Sequence, residues 1–79
     1  MNEIMKKVSK DPSYKDFEYA LKTGDINALK YINESLLRRT TASRKFKEYN
    51  DPTPLEALYL FQTIVSSIIS DLENFHFSK

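Results

Sequence analysis

Seventy-nine residues form a single domain, close to the size at which one core needs a disulfide, a metal or a partner to hold it. The chain has no cysteine, which excludes disulfides and thiolate metal sites, and its formal net charge of +1 gives no global pull toward nucleic acid or membrane. With 41% hydrophobic and 13% aromatic residues, one glycine and three prolines, it is neither a linker nor a disordered tract.

At the amino end, MNEIMKKV places Ile4, Met5 and Val8 on one apolar turn. A lone turn is unstable without tertiary support, so two outcomes stand: a frayed end, or a short helix docked on the core. No apolar stretch follows the lysines, which predicts no targeting segment. The longest uninterrupted apolar run covers residues 57–61, far short of a membrane span. The expected location is therefore cytoplasmic.

Asp11 and Pro12 form a helix-start signal, Asp11 as cap and Pro12 as first helical residue. Tyr14, Phe17 and Leu21 then share one side, with Ala20 beside them. Gly24 suits the left-handed position just past a helix end, and Asp25 can cap the next helix at once. In that second helix Ala28, Leu29, Ile32 and Leu36 make an apolar stripe. The stripe fades over residues 38–45, RRTTASRK, and resumes at Ala42, Phe46 and Tyr49. One continuous helix to about Lys47 is favoured over a bend at Thr40 and Thr41, where β-branching lowers helix propensity.

Asp51-Pro52 ends the second helix, and Thr53-Pro54-Leu55-Glu56 starts the third, with Thr53 as the expected cap. From there to about Phe75, Leu58, Phe61, Val65, Ile68, Leu72 and Phe75 recur every three or four residues. Leu60, Ile64 and Ile69 widen the stripe to roughly half the circumference. The fold class that follows is all-α: an antiparallel bundle of three helices, with or without a short additional N-terminal helix. Its expected core is Leu29, Ile32, Leu36, Leu58, Phe61, Val65, Ile68 and Leu72, with Phe17 and Leu21 closing one end.

Chemistry is poorly represented. His76 is the only histidine, Ser66, Ser67 and Ser70 have no histidine at helical spacing, and Asp71 and Glu73 point to different sides of a helix. No metal-ligand spacing and no glycine-rich phosphate loop occurs. The sequence therefore predicts no enzyme, no catalytic residues, no metal and no cofactor. A helix-turn-helix reading that starts at Ala20 fails in the second helix, where its core positions fall on Lys30 and Asn33. Lys30, Arg38, Arg39, Arg44, Lys45 and Lys47, against Glu34 and Glu48, give that helix a basic edge, which either complements the acidic stretch from Tyr49 to Ser78 (Asp51, Glu56, Asp71, Glu73) or faces a partner. The third helix carries Thr63, Ser66, Ser67, Ser70 and Asn74 on its polar side and no basic residue, which argues against a membrane-surface helix. Small residues there admit a second helix. Candidate partner contacts are therefore Tyr59, Ser66 and Ile69 on the third helix and Arg38 and Arg39 on the second. The partner is either another protein or a second copy as a homodimer, with nucleic acid disfavoured.

Two stretches carry a resemblance: Ser9-Lys10-Asp11-Pro12-Ser13-Tyr14-Lys15-Asp16, and Leu21-Lys22-Thr23-Gly24-Asp25 followed after a helix by Leu58-Tyr59 and Ile64. They resemble the small immunity proteins for class IIa bacteriocins, the enterocin A immunity type. The resemblance implies four antiparallel helices, of which the first has little room here. It also implies a cytoplasmic protein that protects a bacteriocin producer by engaging the toxin–receptor complex at the mannose phosphotransferase permease, with specificity in the carboxyl-terminal part. A second likeness, carried by Tyr49, Leu55-Glu56-Ala57, Ile64 and Ile68, is to the helical-hairpin co-chaperones of type III secretion needle subunits, which implies a chaperone or adaptor with a secretion client. In either case function rests on contact with another protein.

Overall fold

The structure is a computed structural model and describes residues 2–77, with side chains through Phe75. Four helices follow in order: α1 (Glu3–Ser9), α2 (Tyr14–Thr23), α3 (Ile26–Lys45) and α4 (Leu55–Phe77). No strand occurs among the described residues. The chain is an all-α bundle, and its amino end takes the docked form of the two open at the sequence level. The Asn2 side chain accepts the Met5 amide at 2.8 Å and so caps α1. Val8 is fully buried in the common core. A seven-residue helix cannot hold itself; packing on α4 holds this one.

Gly24 ends α2 with φ at 66°, and the amides of Gly24 and Asp25 return to the carbonyls of Leu21 and Ala20. Positive φ costs an L-residue with a Cβ, so the only glycine stands where the chain needs one. Asp25 Oδ1 then accepts the Ala28 amide at 3.0 Å and opens α3. That helix runs unbroken through residues 38–45 and ends at Phe46, whose backbone is extended.

The main seam lies between α3 and α4. Leu29, Ile32 and Leu36 from one helix and Leu58, Phe61 and Val65 from the other are buried together. Phe17 reaches across from α2 and meets Phe61 edge-on, with ring centroids 5.3 Å apart at 78°, a favoured aromatic geometry. At the rim, Lys30 pairs with Glu73 at 2.8 Å and the Gln62 amide donates to Asn33 at 3.1 Å. The basic helix and the acidic helix do complement each other at that pair.

Three core expectations need correction. Leu21 is 40% exposed and closes nothing. Ile68 and Leu72 are only half-buried. Ala57 and Ile69 take their place in the core, Ile69 with 8% exposure. A helix apolar over half its girth does not itself say which edge is buried. The burial here follows a row at 57, 61, 65 and 69, one residue round from the row that ends in 68 and 72.

Candidate functional site

One polar cluster sits inside the bundle and organises its loops. Asp11 lies in the α1–α2 turn, Arg39 in the middle of α3, and Asp51 and Thr53 in the α3–α4 connection. Arg39 Nη1 and Nη2 donate to Asp11 Oδ2 and Oδ1 at 3.1 and 2.6 Å. Its Nε and Nη2 donate to Asp51 Oδ2 and Oδ1 at 2.8 and 2.7 Å. One guanidinium thus grips two carboxylates, each in two-point fashion. The Thr53 hydroxyl donates to Asp11 Oδ1, the Ser13 amide to Asp11 Oδ2, the Thr53 amide to Asp51 Oδ1 and the Tyr49 hydroxyl to Asp51 Oδ2. The carboxylate side chains are 0% and 1% exposed, that of Arg39 18%.

Two negative charges against one positive leave the cluster with a net charge of −1, and the four additional donors offset the excess. Burial raises the Asp11 pKa, but the Arg39 hydrogen bonds, then Thr53 and the Ser13 amide, outweigh it and hold the carboxyl below its ordinary 3.8. Asp51 is held down to about 2, chiefly by the Arg39 hydrogen bonds. Arg39 is raised by the same bonds, those to Asp51 first. The Tyr49 hydroxyl is raised by its bond to the Asp51 carboxylate. Among the described residues, no buried side-chain nitrogen or oxygen lacks a hydrogen-bond partner. Each of the four carboxylate oxygens already accepts two hydrogen bonds, so the work of the cluster is structural: it clamps two connections to one helix.

This changes several residue assignments. Arg39 is no partner contact, because its guanidinium is committed inward; Arg38 remains exposed. Thr53 does not cap α4. Its hydroxyl goes to Asp11, and the Pro54 carbonyl receives the first helical amides, those of Ala57 and Leu58. Asp11 likewise serves the Ser13 amide and Arg39 more than the start of α2, which begins at Tyr14. The Asp51-Pro52 pair gave a helix-stop signal. Nothing in it points to a residue twelve positions earlier.

On α4, Tyr59 and Ser66 are exposed as expected, whereas Ile69 belongs to the core. The two exposed residues share their side with Thr63, Ser67 and Ser70, and no charged residue occurs from 57 to 70. The stretch Leu55–Phe75 has a mean hydropathy of 1.3, and of its large apolar side chains only Tyr59 and Phe75 are exposed. By length and composition alone it is long and apolar enough to cross a membrane, a property it shares with core helices of soluble bundles. In this fold its inner side is the partner of Leu29, Ile32 and Leu36, and removing it would strip the core of that cover. The side chain of His76 lies outside the described residues. No group of three or more acidic, histidine or cysteine residues comes together among the described ones. Comparison of the chain with protein-family models, with curated proteins and with solved structures gave no match.

Proposed function

We propose that this chain is a non-catalytic protein-binding module that works in the cytoplasm through the exposed side of α4, and that it serves as an immunity protein against a class IIa bacteriocin. The observation that carries the reading is α4 itself: fourteen uncharged positions, residues 57–70, whose exposed side is Tyr59, Thr63, Ser66, Ser67 and Ser70. A side without charge and made mostly of small side chains lets a second helix approach closely. The four-helix order, with the Gly24 turn and Leu58-Tyr59 opening α4, supports the immunity form of the reading. The co-chaperone form gains no support, since its long first helix is interrupted here at Gly24. A nucleic-acid role loses Arg39 to the buried cluster.

Expression of the chain in a bacteriocin-sensitive strain tests the immunity reading. The expected result is a raised inhibitory concentration for class IIa peptides, abolished by Ser66→Arg with Ser67→Arg in a protein that remains folded by circular dichroism. Unchanged sensitivity with the soluble wild-type chain present removes the immunity role. Sedimentation of the purified chain at micromolar concentration tests the homodimer, which Ser66→Arg would dissociate if α4 forms it.

A further inference from the structure

A second surface lies apart from α4. Between α2 and α3 runs an open groove of about 320 Å³. Its walls follow from helical spacing. Asp16, Tyr19 and Ala20 stand at i, i+3 and i+4 on α2, and Asp25, Ala28 and Ile32 at i, i+3 and i+7 on the facing helix. Tyr31 completes the α3 side. Ala20 and Ile32 are buried and make an apolar floor, while Tyr19 and Tyr31 are 69% and 70% exposed. Both rings are therefore open to a bound group.

The charges are one-sided. Asp16 and Asp25 line the groove and no lysine or arginine does. Asp25 uses Oδ1 for its cap, and its other oxygen enters no hydrogen bond or ion pair. Asp16 forms neither. An apolar floor beside two tyrosines, with two carboxylates and no cation in the lining, fits a long aliphatic stem that ends in a delocalised cation. The stem lies on Ala20 and Ile32, the cation meets Asp16 and Asp25, and the rings supply their negative faces.

We infer that the α2–α3 groove is a docking site for an arginine side chain presented by a basic segment of a partner polypeptide. Arginine suits it better than lysine because a planar guanidinium can stack on a tyrosine ring and bind a carboxylate at once. Arginine anchored between aromatic side chains is also the kind of residue that dominates contact surfaces. The site stands independently of the α4 reading, since no α4 residue lines it.

The test is an amide chemical-shift titration of the whole chain with a blocked Ala-Arg-Ala tripeptide, set against the citrulline and lysine analogues. The expected result is saturable shifts centred on Asp16, Tyr19, Asp25 and Tyr31, weaker with lysine and absent with citrulline, which has the shape without the charge. Asp16→Asn removes charge at a residue without a structural bond. Asp25→Asn removes it while keeping a capping oxygen, since asparagine caps as well as aspartate. Each should weaken binding roughly three- to fivefold, the worth of an exposed ion pair, and Tyr19→Ala with Tyr31→Ala should abolish saturation. Equal shifts with citrulline, shifts scattered over acidic residues elsewhere, or no saturation with the arginine peptide at ten-millimolar scale would each overturn the assignment.

Discussion

Replacing Arg39 with methionine tests the buried cluster most directly. Methionine keeps the bulk and the apolar stem and deletes the charge. Asp11 and Asp51, both essentially inaccessible, then face each other with no counter-charge. Breaking one partner out of a buried ion pair costs about 3–5 kcal/mol, and the partial exposure of Arg39 argues for the lower end, about 3 kcal/mol. A domain of 79 residues has about 4–12 kcal/mol in total, so the loss takes a quarter to three-quarters of it. The pH dependence sharpens the test. In the wild type, Asp51 is at about 2 in the folded state against an ordinary 3.8, and Asp11 is also lowered. Depressed carboxyl values contribute stability that is complete above pH 3.8 and is lost as the pH falls toward 2. In Arg39→Met both carboxyls should sit above 3.8, because burial and mutual repulsion favour the neutral form. Its stability should therefore rise as the pH falls from 7 toward 4, whereas these groups leave the parent level over that range. Urea denaturation followed by helical circular dichroism at pH 7, 5 and 4 reads both effects. A variant within 1 kcal/mol of wild type at pH 7, or one with the same acid slope, would refute the clamp. Arg39→Lys, which keeps the charge but cannot grip two carboxylates in two-point fashion, should fall between the two.

Thr53→Val removes the hydroxyl donated to the Asp11 carboxylate and should cost about 1.5–3 kcal/mol, the range for a bond to a charged group; a change under 0.5 kcal/mol by denaturant midpoint would exclude that bond. Phe61→Ala opens a cavity at the junction of α2, α3 and α4 and should cost about 3–5 kcal/mol, measured in the same way. Gly24→Ala meets no atom within 4 Å, so its cost is purely that of positive φ, about 1 kcal/mol. Gly24→Asn should cost less, because asparagine tolerates that conformation, and the ranking is readable by thermal melts.

The elements were largely legible because local chemistry specifies them. Gly24 followed by Asp25 has a single economical use, and the α3 stripe from Leu29 to Leu36 admits one buried side. The burial of α4 was less legible because Ile68 and Ile69 are equally apolar, and only the placement of the neighbouring helices decides between them. The polar cluster was missed for a different reason. Asp11, Asp51 and Thr53 are the residue types that cap helices and shape turns, and the local reading accounted for each of them. Their tertiary bonds to Arg39 and to one another leave no pattern at short spacing. The one available signal was an arginine in mid-helix flanked by the fading apolar stripe, and that also describes a solvated face. The α2–α3 groove was hidden likewise: Tyr19 and Tyr31 look like ordinary helix residues until two helices bring them to one trough.

The cluster also bears on the order in which the chain assembles. Its bonds join residues 28 and 42 positions apart, Asp11 to Arg39 and Asp11 to Thr53. Closing loops of that length is entropically uphill before the helices between them have docked. The α2–α3 turn forms from nearer contacts and Asp51 lies only twelve positions from Arg39, but the guanidinium can engage both carboxylates only when the α1–α2 turn has arrived as well. We expect the clamp to close after the barrier, so that Arg39→Met speeds unfolding more than it slows folding in stopped-flow denaturant jumps. A latch of that kind lengthens the life of the native state without changing how fast it is reached.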